Sequence, residues 1–356
     1  ALFIAYQNII VYTFISFIQT ILVFCSAYSL RYFTCDKLIL YTAFVALAQI
    51  ITYSLQILVA TKKYKCTRIK FSYFFDKIYA KDILKFSFWN MLGDLGHLVR
   101  TQGISIIVNL YLGPKGNAAL GIANQVSMQA CNLTNAMSGA TSPEIYRRVG
   151  EKKFESAANL SDYTSKIGVF LMCILGIPIS LNIDSILKLW LVNVPEGTST
   201  LCLCFIFMFV IEKMTMGQQK YLSAIGKVAL VNCLIFAFYC SAVLLPFLGL
   251  LKYGLLGIGI SCIISMALSR LSIVYCMNKY THYRYWYFGK EFMFPMLVVC
   301  TIFVLVQECL SFSTQNLFGL IISCGISCIC SVIVCFFLRF SNKERSRLVD
   351  LIIKKI

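Results

Sequence analysis

The sequence predicts an all-α polytopic membrane protein with about ten transmembrane helices, on three observations. Of the 356 residues, 59% are hydrophobic and only 13% are charged, with a mean hydropathy of +0.78, far outside the range of soluble domains. Apolar stretches of roughly 20 residues or more, the length a helix needs to cross about 30 Å of hydrocarbon, recur along the whole chain. Their periodicity is helical, not the two-residue alternation of an outer-membrane barrel.

The expected spans are 9–30, 38–61, 83–112, 118–146, 160–182, 198–220, 227–250, 253–278, 291–310 and 315–338. Charged residues separate them. Arg31 and Lys37 divide the first pair, the basic loop Lys62–Lys85 closes the second span, and Lys115 parts 83–112 from 118–146. The loop 147–159 leads into the fifth span, Lys188 lies between the fifth and sixth, and the loop 220–227 precedes the seventh. Lys252 then marks the next break, and 279–290 bounds the closing pair. Gly139, Pro143, Pro178, Pro246 and Pro295 fall within the spans, where neighbouring helices can satisfy a kinked backbone.

Orientation follows from the sorting of charge. If the loop Lys62–Lys85 is "in", alternation places 147–159, 220–227, 279–290 and the tail from Arg339 on the same side. Those segments hold 23 of the 32 Lys and Arg residues. The positive-inside rule makes them cytoplasmic, the C-terminus included. The net charge of +17 therefore reflects topology and attraction to anionic lipid, not nucleic-acid binding. The run "YTHYRYWYFGK", 280 to 290, reads as an interfacial aromatic belt with basic residues.

Other features have simple readings. The 17 cysteines include no Cys-x-x-Cys pair, and only two His are available to help ligate a metal, so they are expected as small apolar packers. The sequon at Asn132 lies inside a span, beyond the reach of glycosylation. The chain opens "ALFIAYQNII", without Met and already apolar, which is expected of a truncated part of a longer protein.

Two spans carry polar stripes. At about 100° per residue, Asn90, Asp94, His97, Thr101 and Ser105 fall within roughly 80° of arc on one helix, with Arg100 close by. Asp94, His97 and Arg100 sit near mid-span, too deep for easy snorkelling, and ionisable residues there mark a functional site. Arg100 is the strongest candidate, because a planar, permanently charged guanidinium suits phosphate. Asp94 has a competing role as a structural counter-charge, and His97 as a proton carrier or a packing residue. On the next span, Asn124, Gln125, Gln129, Asn132 and Asn135 share about 140° of arc, with Val126, Ala130, Leu133 and Met137 on the other side. Such amides must face another helix or water.

Elsewhere, Glu212 with Thr215 and Gln219 could line a cavity, while Glu212 and Lys213, being adjacent, are not expected to face each other. Arg270 and Lys166 are expected to snorkel toward a membrane surface. The motifs G-x-x-x-x-G-K-[ST], H-E-x-x-H and G-x-S-x-G are absent, and the glycines of "YGLLGIGIS" suit close helix packing. Extramembrane loops are short, so a helical bundle with a wet polar interior, the build of a transporter and not of an enzyme, is expected.

The segments "FSFWNMLGDLGHLVRTQGISIIVNLYLGPKGNAALGIANQV", "SPEIYRRVGEKKFESA" and "ILKLWLVNVPEGT", with a later "AIGK", resemble the polysaccharide biosynthesis proteins of the multidrug/oligosaccharidyl-lipid/polysaccharide exporter superfamily. These are the lipid-linked oligosaccharide flippases of the O-antigen type. The resemblance spans roughly residues 1 to 280. It implies the C-terminal part of an approximately fourteen-helix, two-lobe fold, with four N-terminal helices absent. On that template, 1–62 holds the last helices of the N-terminal lobe and 63–82 a basic cytoplasmic linker. The C-terminal six-helix lobe is 83–280, and 281–356 holds two extra helices and a basic tail.

What the resemblance implies is translocation of undecaprenyl-diphosphate-linked oligosaccharide units across the bacterial cytoplasmic membrane by alternating access, for O-antigen, lipopolysaccharide, capsule or exopolysaccharide assembly. No cofactor is implied, although H+ or Na+ could couple, and other polysaccharide assembly proteins could be partners. Arg100 would attract the diphosphate. Asn90, Asp94, His97, Asn124, Gln125, Asn132, Asn135 and Glu212 would complete the cavity. Few cations are expected to face it from this part of the chain. Two alternatives stay open. A multidrug and toxin extrusion transporter would want an acidic cavity, for which Asp94 and Glu212 speak. A membrane-embedded polymerase would need a larger outer loop than Asp184–Gly197.

Overall fold

The computed structural model describes residues 9–32, 36–64, 77–281, 283–294 and 317–339. The expected span 291–310 beyond Phe294, the loop 65–76 and the basic tail beyond Arg339 lie outside the described residues. Among those described there are helices and turns but no strand, so the protein is all-α. Among the described residues, five helical stretches are long and apolar enough to cross a membrane: Thr13–Tyr32, Lys37–Lys63, Phe154–Leu181, Val228–Leu248 and Leu251–Thr281. A sixth, Thr198–Lys213 with Met216–Ala224, is bent by 41°. The chain is thus a multi-pass membrane protein.

The chain divides into two compact units, Ala1–Lys81 and Asp82–Ile356. In the first, α1 (Ile9–Ser29) and α2 (Lys37–Lys63) pack against each other. Asp36 starts α2 by accepting from the Leu38 and Ile39 amides at 2.9 and 3.4 Å, which satisfies two of the N–H groups a helix start leaves over. Thr52 is buried and returns its hydroxyl to the Ala48 carbonyl at 2.7 Å, as a polar side chain in an apolar setting must.

The second unit begins within α3 (Lys77–Gly150), which is two limbs joined at Gly113. Gly113 has φ 72° and ψ −174°, in the region open to glycine, and Pro114 follows with its φ preset for a new helix start. The Ser105 hydroxyl donates to the Asn117 side-chain oxygen at 2.9 Å across this turn. Twelve residues of straight helix would hold those groups about 18 Å apart, so the chain reverses here. The loop expected around Lys115 is a single-residue break. Neither limb is among the purely apolar spans, because both are dense in the polar residues of the two stripes.

After α3 come α4 (Phe154–Leu181), the short α5 (Ile183–Trp190), α6 (Thr198–Lys213), α7 (Met216–Ala224), α8 (Val228–Leu244) and α9 (Gly254–Thr281). Helix α9 packs on both α6 and α8, and α4 on α6 and α7. The shared core includes Val108, Ala123, Leu201, Met208, Ile258 and Ile273, all nearly or fully buried. α10 (Leu317–Arg339) lies along α4, where Ser323 donates to the Asn182 side-chain oxygen at 2.8 Å. The expected single span 198–220 is broken instead at Met214–Thr215, between α6 and α7.

Lys166 does not snorkel. It is 4% exposed and pairs with Glu291 at 2.6 Å, because the segment after α9 folds back over this end of α4.

Candidate functional site

The two limbs of α3, together with α6, α7, α8 and α9, surround a cavity of about 620 Å³ within the second unit. Its lining runs from mid-helix toward the helix ends that carry Lys85, Arg147, Lys220 and Lys227. The first limb contributes Asn90, Asp94, His97, Arg100 and Thr101, one stripe on one helix face. The second contributes Asn124, Asn135 and Tyr146, α6 contributes Glu212 and Lys213, and α7 contributes Gln219 and Lys220. Asn232 and Tyr239 enter from α8, and Arg270 from α9.

Of the residues the sequence nominates, Arg100, Asn90, Asp94, His97, Asn124, Asn135 and Glu212 meet around this space. Gln125 and Asn132 do not. Both are exposed, and Asn132 donates to Gln129 at 2.9 Å on its own helix surface. The amide ladder is split by the rotational setting of the limb: Asn124 and Asn135 turn inward, and the amides further round the helix turn away. Ser105 also leaves the stripe for its bond to Asn117.

Tyr239 organises the deepest part. The Arg100 guanidinium carbon lies 4.9 Å from the centre of its ring and that of Arg270 lies 5.9 Å away. Arg270 also donates through Nη2 to the Tyr239 hydroxyl and through Nη1 to Gln219 at 3.0 Å. Among the described residues, Arg100 Nη1 reaches only the Met208 sulfur, at 2.9 Å. The rings of His97 and Tyr239 meet edge to face with centroids 6.3 Å apart. Both arginines are buried, at 4% and 6% exposure, and the Nε atom of each has no hydrogen-bond acceptor. Neither forms an ion pair among the described residues. Burying a charge without a partner is costly, so the pair is disposed to take an anion.

The expected snorkelling of Arg270 is therefore corrected. Its span is packed on α6 and α8, and Gln219 and Tyr239 hold the guanidinium inside. The expected shortage of cations is corrected as well, since Arg100, Lys213, Lys220 and Arg270 all line the cavity. Sequence reasoning missed Tyr239, Lys213 and Asn232. Lys213 was recognisable as a charge inside a span.

Glu212 and Lys213 do pair, at 3.0 Å, and the Lys213 ammonium also donates to Asn135 at 3.0 Å. Adjacent residues on a regular helix diverge by about 100°. Here α6 stops at Lys213, and the freed end lets both side chains turn into the cavity. Glu212 thus contacts Lys213 directly and acts on Arg270 and Arg100 only from a greater distance, so neither guanidinium has a carboxylate within ion-pair reach among the described residues. On the far side of the break, Ser165 accepts from the Gly217 amide at 2.8 Å, and Gln218 donates to Asp162 at 2.7 Å.

No group of three or more His, Cys, Asp and Glu side chains is placed to hold a metal ion among the described residues. No curated protein and no solved structure matches the chain. Residues 99–247 match the MatE family model, a stretch that includes Arg100, Glu212, Lys213 and Tyr239 but leaves out Asp94, His97 and Arg270. MatE proteins are transporters and not enzymes. Less than half of the chain is matched, yet it is the part that builds most of the cavity wall. Across that stretch the chain is similar to the MatE family, which supports an exporter of the multidrug/oligosaccharidyl-lipid/polysaccharide superfamily.

Proposed function

We propose that this protein is a flippase that moves undecaprenyl-diphosphate-linked oligosaccharide units across the cytoplasmic membrane for cell-surface polysaccharide assembly. The observation that carries this reading is the pair of buried guanidiniums on the Tyr239 ring, neither within ion-pair distance of a carboxylate among the described residues and each with a free Nε donor. A diphosphate supplies the charge, and each of its tetrahedral phosphoryl groups offers pairs of oxygens that a planar guanidinium fork can engage. Asn90, Asn124 and Asn232 offer amide groups to sugar hydroxyls, and the prenyl chain stays in lipid. Asn90 and Asn232 already bond to each other at 3.4 Å, a long contact that a hydroxyl can replace.

Translocation follows by alternating access: the polar cavity opens to one face, takes the headgroup and reopens to the other. With the basic loops cytoplasmic, the cavity lies toward the cytoplasmic half of the bundle and the C-terminus is cytoplasmic. Coupling to H+ or Na+, and contact with other polysaccharide assembly proteins, belong to the same proposal.

The test is to delete the gene and complement it with wild type, Arg100→Ala or Arg270→Ala, then assay which leaflet holds the lipid-linked unit. The flippase reading requires that it accumulate on the cytoplasmic face and that only wild type restore surface glycan. Unchanged leaflet distribution with raised sensitivity to cationic drugs would assign the cavity to drug extrusion through Asp94 and Glu212.

A further inference from the structure

We propose that the segment after α9, residues 283–294, is a preformed docking surface for anionic phospholipid headgroups, with Lys290, Arg284 and Trp286 as its contacts.

The segment is a turn of α-helix, Tyr285–Phe288, that widens to a π-turn, Gly289–Met293. Its two sides are chemically opposite. Phe288 and Phe292 are buried, stack with centroids 5.1 Å apart, and join the apolar cluster around Val169 and Met172 of α4. Two residues out of phase with Phe288, Trp286 is 76% exposed, and the Lys290 ammonium lies 5.5 Å from the centre of its ring. Tyr285, Met293 and Phe294 are also exposed. An outward face of aromatic and apolar groups mixed with ammonium and guanidinium matches the headgroup region of a bilayer.

Charge selects the kind of lipid. Between Glu212 and Glu291 the sequence holds no Asp or Glu at all. Glu291 is turned inward, where Lys166 holds it at 2.6 Å. The carboxylate next to Lys290 is thereby already paired, although its side chain keeps 28% exposure, and neither Lys290 nor Arg284 forms an ion pair among the described residues. Nearby, the ammonium groups of Lys227 and Lys279 both lie over the Tyr280 ring, at 5.3 and 5.8 Å. From Lys213 to Lys290 the chain thus presents cations without an acidic residue among them, and at the same end Glu144 and Glu151 are already paired with Arg147, Arg148 and Lys153, which suits a surface for anionic headgroups.

The surface is tied to the bundle at several points. Beyond the Phe pair and the Lys166–Glu291 bridge, Tyr283 donates to Asp162 at 3.4 Å, and its carbonyl accepts from Asn278 at 2.7 Å. A held surface loses less entropy on binding than a flexible loop.

The experiment uses the full chain with Trp89→Phe and Trp190→Phe, which leaves Trp286 as the sole tryptophan of the three. It is reconstituted in neutral vesicles doped with equal fractions of either brominated phosphatidylglycerol or brominated phosphatidylcholine. The proposal expects the anionic lipid to quench Trp286 more strongly, through enrichment of roughly fivefold per cation. That preference should fall with rising salt, vanish in Arg284→Gln/Lys290→Gln, and survive in Lys290→Arg. Equal quenching by the two lipids, or a preference that persists in the double Gln variant, overturns it. The readout is independent of transport, so it stands or fails apart from the flippase reading.

Discussion

A β-carbon on Gly217 would lie 1.9 Å from the carbonyl oxygen of Ser161 and 2.7 Å from its carbonyl carbon, so α7 and α4 meet backbone to backbone. Only the smallest residue permits that approach. Gly217→Ala must push the two helices apart and disturb the Gly217 amide bond to Ser165, at a cost of about 1–3 kcal/mol. The apparent melting temperature of the detergent-solubilised protein should drop clearly. Gly139→Ala, with nothing within 4 Å of the added carbon and alanine the better helix former, should hold it or raise it slightly.

The fork geometry of Arg100 is tested by Arg100→Lys. Losing one of two parallel bonds to a diphosphate should weaken binding of a prenyl diphosphate about tenfold, on the order of 1.5 kcal/mol. Titration of the purified protein checks this, and undiminished affinity would reduce Arg100 to a generic positive charge.

Tyr239 is expected to act through both its ring and its hydroxyl. Tyr239→Phe keeps the ring beneath Arg100 but removes the acceptor for Arg270 Nη2, which should weaken diphosphate binding about fivefold. Tyr239→Leu also removes the cation–π contacts, a further loss of about 1–2 kcal/mol. The order wild type, Phe, Leu in the same titration is the outcome to look for.

Glu212→Gln strips Lys213 of its counter-charge and leaves it only Asn135. The Lys213 side chain is 3% exposed, but that of Glu212 is 27% exposed and reaches the cavity. Destabilisation should therefore be on the order of 2 kcal/mol, below that of a fully enclosed pair. Glu212→Gln/Lys213→Met should recover part of it in a double-mutant cycle of unfolding.

The two classes of amide should separate in a complementation assay. Asn124→Ala and Asn135→Ala alter the cavity wall and should impair glycan export, whereas Gln125→Ala and Asn132→Ala should be silent. A deficit in all four would restore the amide ladder as a single functional face.

Much of the fold was legible because hydrocarbon imposes a length and a composition that soluble folds do not. The stripe from Asn90 to Thr101 was legible for a related reason, since helical periodicity alone puts those residues on one face. What one helix cannot disclose is its rotation against its neighbours, so Gln125 and Asn132 looked equivalent to Asn124 and Asn135 until the bundle was seen. Tyr239 carries no charge and sits in a strongly apolar span, so nothing local distinguished it from a packing aromatic. Arg270 was misjudged by depth alone, because its partners, Gln219 and Tyr239, lie 51 and 31 residues away in the chain. The Glu212–Lys213 pair was hidden by the assumption that α6 continues, which the break at Met214–Thr215 removes.

The reversal at Gly113 also bears on how the protein is made. A lone segment carrying Asp94, His97 and Arg100 would leave a translocon toward lipid only reluctantly. Because the second limb starts one residue after the first ends, the two can enter the membrane together as a helical hairpin before α6 to α9 have been synthesised. Lengthening the Gly113–Pro114 turn with a flexible insert would uncouple that entry, and the defect would surface as failed biogenesis of a chain whose finished cavity is chemically intact.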